Sequence, residues 1–217
     1  MIDRNKIRAR SLAKRILPAL PSMGEARELF RAAMAGEGSP ADAVYEAPPD
    51  MRGAVVVALF LAGIADLQAA FTEAWFSNHI GVKRTAAAEG NCLNALILAA
   101  NLPPPADMPS SVTCWRGTIG VNLATARVGR SWTTKREAAC HLIMTAWPRA
   151  GFRTGNPLLI RRDIRKEDIL MYWPGGDTAW HDEIVVSTGK DGDVDGTPEE
   201  WRETGMGWWL SEHLDRL

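Results

Sequence analysis

Apolar positions recur every three or four residues through the first hundred positions, in a background rich in Ala, Leu, Met, Arg and Glu, and that spacing predicts helices. It places them over residues 4–17, 24–35, 53–76 and 85–100, with Ser22 and Glu25 spaced as a capping box for the second. Residues 36–50, rich in Gly, Pro and Ala, read as a loop between two helical pairs. At 102–109 the pattern breaks, because four prolines in eight residues forbid a continuing helix. Beyond the break come short runs with strand character at 111–116, 126–132, 157–164, 168–173 and 183–187, interrupted by a helical pattern at 135–147. Helices followed by many short strands, with little alternation of the two, predict an α+β fold. The expected division is a helical N-terminal region over 1–105 and a strand-rich unit over 106–217.

Length and composition narrow this only a little. A chain of 217 residues buries a sizeable core, and 46% hydrophobic with 24% charged residues excludes disorder and fibrous repeats. The net charge of −1 gives no global attraction to nucleic acid or anionic lipid. Arg4 to Arg15 is locally basic, but its charges alternate with Ile7, Leu12 and Ile16 at helical spacing, which reads as a solvated helix face before a basic arm. The apolar run 54–65 is too short to cross a bilayer and reads as a buried helix, so no membrane partner is expected. No signal-type apolar run precedes Pro18, and Cys92, Cys114 and Cys140 are odd in number and widely spaced, so a cytoplasmic, reducing setting is the expectation, with neither disulfide framework nor zinc knuckle.

Three segments carry candidate chemistry, and each alone has a plain structural reading. Thr113-Cys114-Trp115-Arg116-Gly117-Thr118 is an apolar strand that brings a rigid guanidinium to a sheet rim, suited to phosphate or merely to a neighbouring carboxylate. Gly129-Arg130-Ser131-Trp132-Thr133-Thr134 runs into a helix, so its hydroxyls either cap that helix or bond a sugar or brace a carboxylate. Trp180-His181-Asp182-Glu183-Ile184-Val185-Val186-Ser187 opens an apolar strand with polar groups. A carboxylate at such a mouth is either desolvated for chemistry or an edge charge against aggregation.

Taken in order, an arginine ending one strand, Ser-x-Thr ahead of a helix and a glutamate starting a later strand resemble the R-S-E signature of the ADP-ribosyltransferase superfamily. The resemblance covers residues 111–187 and is silent on the helical half. It implies a mixed, split β-sandwich core that takes NAD as substrate and modifies a macromolecular acceptor, a protein first, as a toxin-like effector would. On that reading Arg116 and Gly117 hold the phosphates and adjoining ribose. Ser131 bonds the nicotinamide ribose or orients the glutamate, Thr133 supports the same wall, Trp132 and Trp115 form the core or the floor of the cofactor pocket, and Glu183 acts at the ribose 2′-hydroxyl. Many members that modify arginine carry a second acid two residues before the catalytic glutamate, where this chain has His181. His181 bonds the ribose, serves an acceptor as base or caps its loop. Asp182 is discounted as a substitute, since adjacent strand residues face opposite ways. The loop 174–180 corresponds to one that selects the acceptor, with Trp180 either stacking on a target or packing.

Two alternatives stay open: NAD glycohydrolysis on the same site, and an inactive interaction module. Rival motifs are weaker. Asp191-Gly192-Asp193-Val194-Asp195-Gly196 opens like an EF-hand loop, but Arg202 stands where a bidentate glutamate is needed, so an acidic turn is expected. Cys140-His141 lacks the third orienting group of a thiol nucleophile. Thr197-Pro198 reads as a helix start, and Trp201, Trp208 and Trp209 as docking the tail rather than forming an exposed patch.

Overall fold

A computed structural model describes residues 3–21, 25–146, 155–175, 182–187 and 191–213. The fold is α+β and divides into two compact units, Met1–Leu102 and Pro103–Leu217. Among the described residues, no helix is long and apolar enough to cross a membrane.

The first unit contains α1 (Arg4–Ala19), α2 (Ala26–Ala35), α3 (Pro40–Tyr45), α4 (Pro49–Ala62), α5 (Gln68–Ala88) and α6 (Leu93–Ala100). Asp3 caps α1 by accepting from the Asn5 amide at 3.0 Å, and Ala9, Leu12 and Ile16 are its buried stripe. The expected loop 36–50 contains α3, started by the Ser39 hydroxyl accepting from the Asp42 amide at 3.2 Å with Pro40 at the first turn. The expected helix 53–76 is two helices. Gly63, at φ 79°, ends α4 in a left-handed turn. The expected helix 85–100 is likewise interrupted, by Gly90 and Asn91 at φ 91° and 56°. Asn78 kinks α5, donating to the Pro49 carbonyl at 3.2 Å and accepting from the Gly81 amide at 2.8 Å. Gly53 lets the α4 backbone meet that of α5 at Gly81 and Val82, and Gly81 leaves room for the Asn78 side chain. Ser22, expected to cap the second helix, lies outside the described residues, and the N-cap position of α2 is Glu25, which makes no side-chain capping bond.

The second unit holds two antiparallel sheets. One has the order β1 (Ser111–Ile119), β3 (Pro157–Arg165), β6 (Asp193–Val194); the other has β2 (Ser131–Trp132), β5 (Glu183–Val186), β4 (Ile169–Trp173). Every described pairing is antiparallel, where a mixed sheet was expected. The reason lies in the connections. The helix after β2 leads to β3 in the other sheet, so it does not join parallel neighbours in the manner of a βαβ crossover. Residues 126–132, expected as one strand, are the end of α7 (Leu123–Arg127) and then β2. Asn122 caps α7 by accepting from the Thr125 amide at 2.8 Å.

After β2 come α8 (Arg136–His141), a π-helical turn (Leu142–Ala146) and, at the end, α9 (Pro198–His213). Cys114, Trp132, Ile160, Ile164, Ile184 and Val186 form one core cluster. Ile119, Ala139, Cys140, Ile143, Leu159 and Trp201 form another, on the opposite face of β1, beneath α8 and α9. Trp201 is thus docked, as expected, while the Trp208 ring lies 5.8 Å from that of His141. Trp209 belongs to the segment whose side chains are not described.

Candidate functional site

The three motif-bearing strands are neighbours. Trp115 and Thr133 exchange backbone hydrogen bonds at 2.8 and 2.9 Å, which ties β1 to the end of β2. Ser131 and Trp132 of β2 pair with Val185 and Ile184 of β5. Side chains alternate along each strand, so Ser131, Val185 and Glu183 share one face. Trp132 and Ile184 lie on the other, in the Cys114 cluster. Arg116 has the parity of Cys114 and therefore leaves β1 on the Trp132 side.

From there Arg116 turns onto the glycine that precedes the serine motif. Its Nη1 donates to the Ser131 carbonyl at 2.8 Å, and a Cβ on Gly129 would overlap the guanidinium. The Trp132 indole donates to the Gly129 carbonyl at 3.0 Å and holds the same turn from below. Gly117 faces the other way: a Cβ there would strike the Ala139 carbonyl and Ile143, so its contact is with α8 and the π turn. Trp132 is 2% exposed and belongs to the core, with the Arg162 guanidinium 6.0 Å from its ring.

Glu183 opens β5 half-buried, paired with Trp173 of β4. Val185, two residues on, is fully buried, so Glu183 stands where the covered part of its face ends. Its neighbour Asp182 is the residue whose importance sequence reasoning missed. Asp182 is buried, and its carboxylate accepts from the hydroxyl of Thr133, from the amide of Thr134 at 2.9 Å and from the hydroxyl of Thr134 at 2.7 Å. Alternation does turn it away from Glu183, but toward the two threonines. Neither threonine is the N-cap of α8. That position is Lys135, whose amide donates to Thr133 Oγ1 at 3.1 Å. His181 and Trp180 lie outside the described residues.

The rival motifs resolve into structure. Asp193 and Val194 form β6 against β3, and Asp195 accepts from Arg136 Nε and from the Trp115 indole, each at 2.7 Å. Burial pushes the Asp195 carboxyl up, but those two hydrogen bonds, with the charges of Arg136 and Arg161, outweigh it and hold it below its ordinary value. Among the described residues, no group of three His, Cys, Asp or Glu side chains is placed to hold a metal ion. Burial pushes the Cys114 thiol up to about 12 and the Cys140 thiol up to about 11, so neither supplies a thiolate near neutral pH. A polar cavity of about 790 Å³ opens between Arg161 and Arg162 of β3 and the segment 191–195, and Arg116, Ser131 and Glu183 do not line it.

Comparison with known proteins finds no match to this chain among family models, curated proteins or solved structures.

Proposed function

We propose that the second unit is an ADP-ribosyltransferase that takes NAD as substrate. The observation that carries this reading is the adjacency of β1, β2 and β5. It brings together the Arg116, Ser131-Trp132-Thr133-Thr134 and Glu183 segments from distant parts of the chain. The seating of Arg116 on Gly129 supports it further, since a guanidinium held at the Ser131 carbonyl is a preorganised donor for a phosphate oxygen.

On this reading Arg116 binds the diphosphate, and Ser131 and Glu183 meet the nicotinamide ribose from their common face. A substrate touching all three passes the end of the two-residue strand β2. Glu183 accepts a hydrogen bond from the ribose 2′-hydroxyl as the C1′–N bond to nicotinamide breaks. The bonding pair goes to the ring nitrogen, which leaves neutral, and positive charge develops on the ribose as in oxocarbenium-like glycosyl transfer. The acceptor nucleophile then bonds to C1′ and gives up its proton; with water as nucleophile the same site is an NAD glycohydrolase.

Radiolabelled NAD, incubated with the full chain and a cell lysate, tests the proposal. Nicotinamide release with label on protein supports the transferase, and release with label only in free ADP-ribose supports the glycohydrolase. No release in any lysate, with no NAD binding by calorimetry, overturns both in favour of an interaction module.

A further inference from the structure

We infer that Asp182 is a positioning residue for Glu183, locking the catalytic strand to the serine–threonine segment; this rests on the NAD-site reading above. Asp182 is 3% exposed, and a buried carboxylate is expensive unless its oxygens are fully used. Here three neutral donors, the hydroxyls of Thr133 and Thr134 and the Thr134 amide, satisfy it. Among the described residues it has no ion-pair partner.

An ionised carboxylate only accepts, so both hydroxyl protons are forced to point at it. The freed lone pair of Thr133 receives the Lys135 amide, extending the clamp into the start of α8. Glu183 then stands between two fixed points. On its N-terminal side the Asp182 clamp holds it to Thr133 and Thr134; on its C-terminal side Val185 is in register with Ser131. The Cα of Glu183 cannot slide along β2 without breaking one of them. Placement of this kind matters because a misplacement of about 1 Å at a reacting group costs about 100-fold in rate.

The experiment compares wild type, D182N and T134V of the full chain. Asn keeps the size of Asp182 but presents an amino group to one hydroxyl, while Val removes a single donor and covers the case in which D182N fails to fold. The expected result in either variant is a fall in kcat for nicotinamide release of about 10- to 100-fold, with KM for NAD held within about threefold. It should come with a shift of the Glu183 carboxyl resonance in ¹³C NMR, and with no further loss when D182N is added to E183Q. If KM rises as kcat and melting temperature fall, or if the Glu183 resonance does not move, the positioning role is overturned. Should the wild type release no nicotinamide, the NAD reading fails on its own. The Glu183 resonance then still decides whether Asp182 positions that carboxylate.

Discussion

Replacing Gly129 by alanine separates the seating of Arg116 from the stability of the fold. A Cβ at this position would coincide with the Arg116 guanidinium, and Nε, Cζ and Nη2 are the nearest atoms it meets. Those atoms are the far end of a flexible side chain, so the methyl is accommodated by swinging the guanidinium away and not by moving backbone. Among the described residues the loss includes a hydrogen bond from a charged donor, Nη1 to the Ser131 carbonyl at 2.8 Å, worth about 1.5–3 kcal/mol for a half-buried guanidinium. If Arg116 anchors the diphosphate, the same displacement weakens NAD binding by about 10- to 150-fold. G129A should therefore behave like R116A in titration calorimetry with NAD, while its melting temperature falls by only about 3–10 °C. Unchanged NAD affinity in G129A, with a folded protein, would refute the idea that this glycine seats a phosphate-binding arginine.

Three further outcomes follow from the packing. D195N removes the charge from the joint linking Arg136 and Trp115, whose ion-pair side chains are each 25% exposed; after allowance for screening it should cost about 1–3 kcal/mol in urea unfolding. Because the folded carboxyl lies below its ordinary value of 3.8, the stabilisation is complete above that pH. It is lost as pH falls through the folded value, so the acid limb of the stability curve should be shallower in D195N; an identical limb would contradict the assignment. G53A places a methyl 2.5 Å from the Gly81 carbonyl carbon and the Val82 amide nitrogen, backbone atoms that cannot step aside, and should destabilise by about 1–3 kcal/mol or more in thermal melts. Cys114 and Cys140 should resist a thiol reagent at neutral pH in the native protein and react in denaturant, and rapid native labelling of either, read by mass spectrometry, would contradict their burial.

The legibility of this chain varied with how local each signal is. The strands at 157–164, 168–173 and 183–187 match β3, β4 and β5 closely, because their apolar and β-branched residues sit between clear breakers. The helix interruptions were missed although their cause is local: Gly63, Gly90 and Asn91 sit within or beside apolar periodic runs, and only their left-handed φ reveals them as terminators. Ser39-Pro40 and Asn122 were legible helix starts masked by Gly- and Pro-rich or β-branched surroundings. Within the site, the order Arg116, Ser131, Glu183 was visible, but the partners that hold it were not. Gly129 can be recognised as a seat only when β1 lies beside β2. Asp182 looked expendable because strand alternation states which way a side chain points and not what waits there.

Nicotinamide release from NAD by the purified chain, wild type against E183Q, tests the central claim most directly. Release that falls by about 100-fold or more in E183Q, with the melting temperature preserved, is the result predicted for a carboxylate acting at the ribose. Equal rates in the two proteins, or no release by the wild type with or without acceptor, would contradict it.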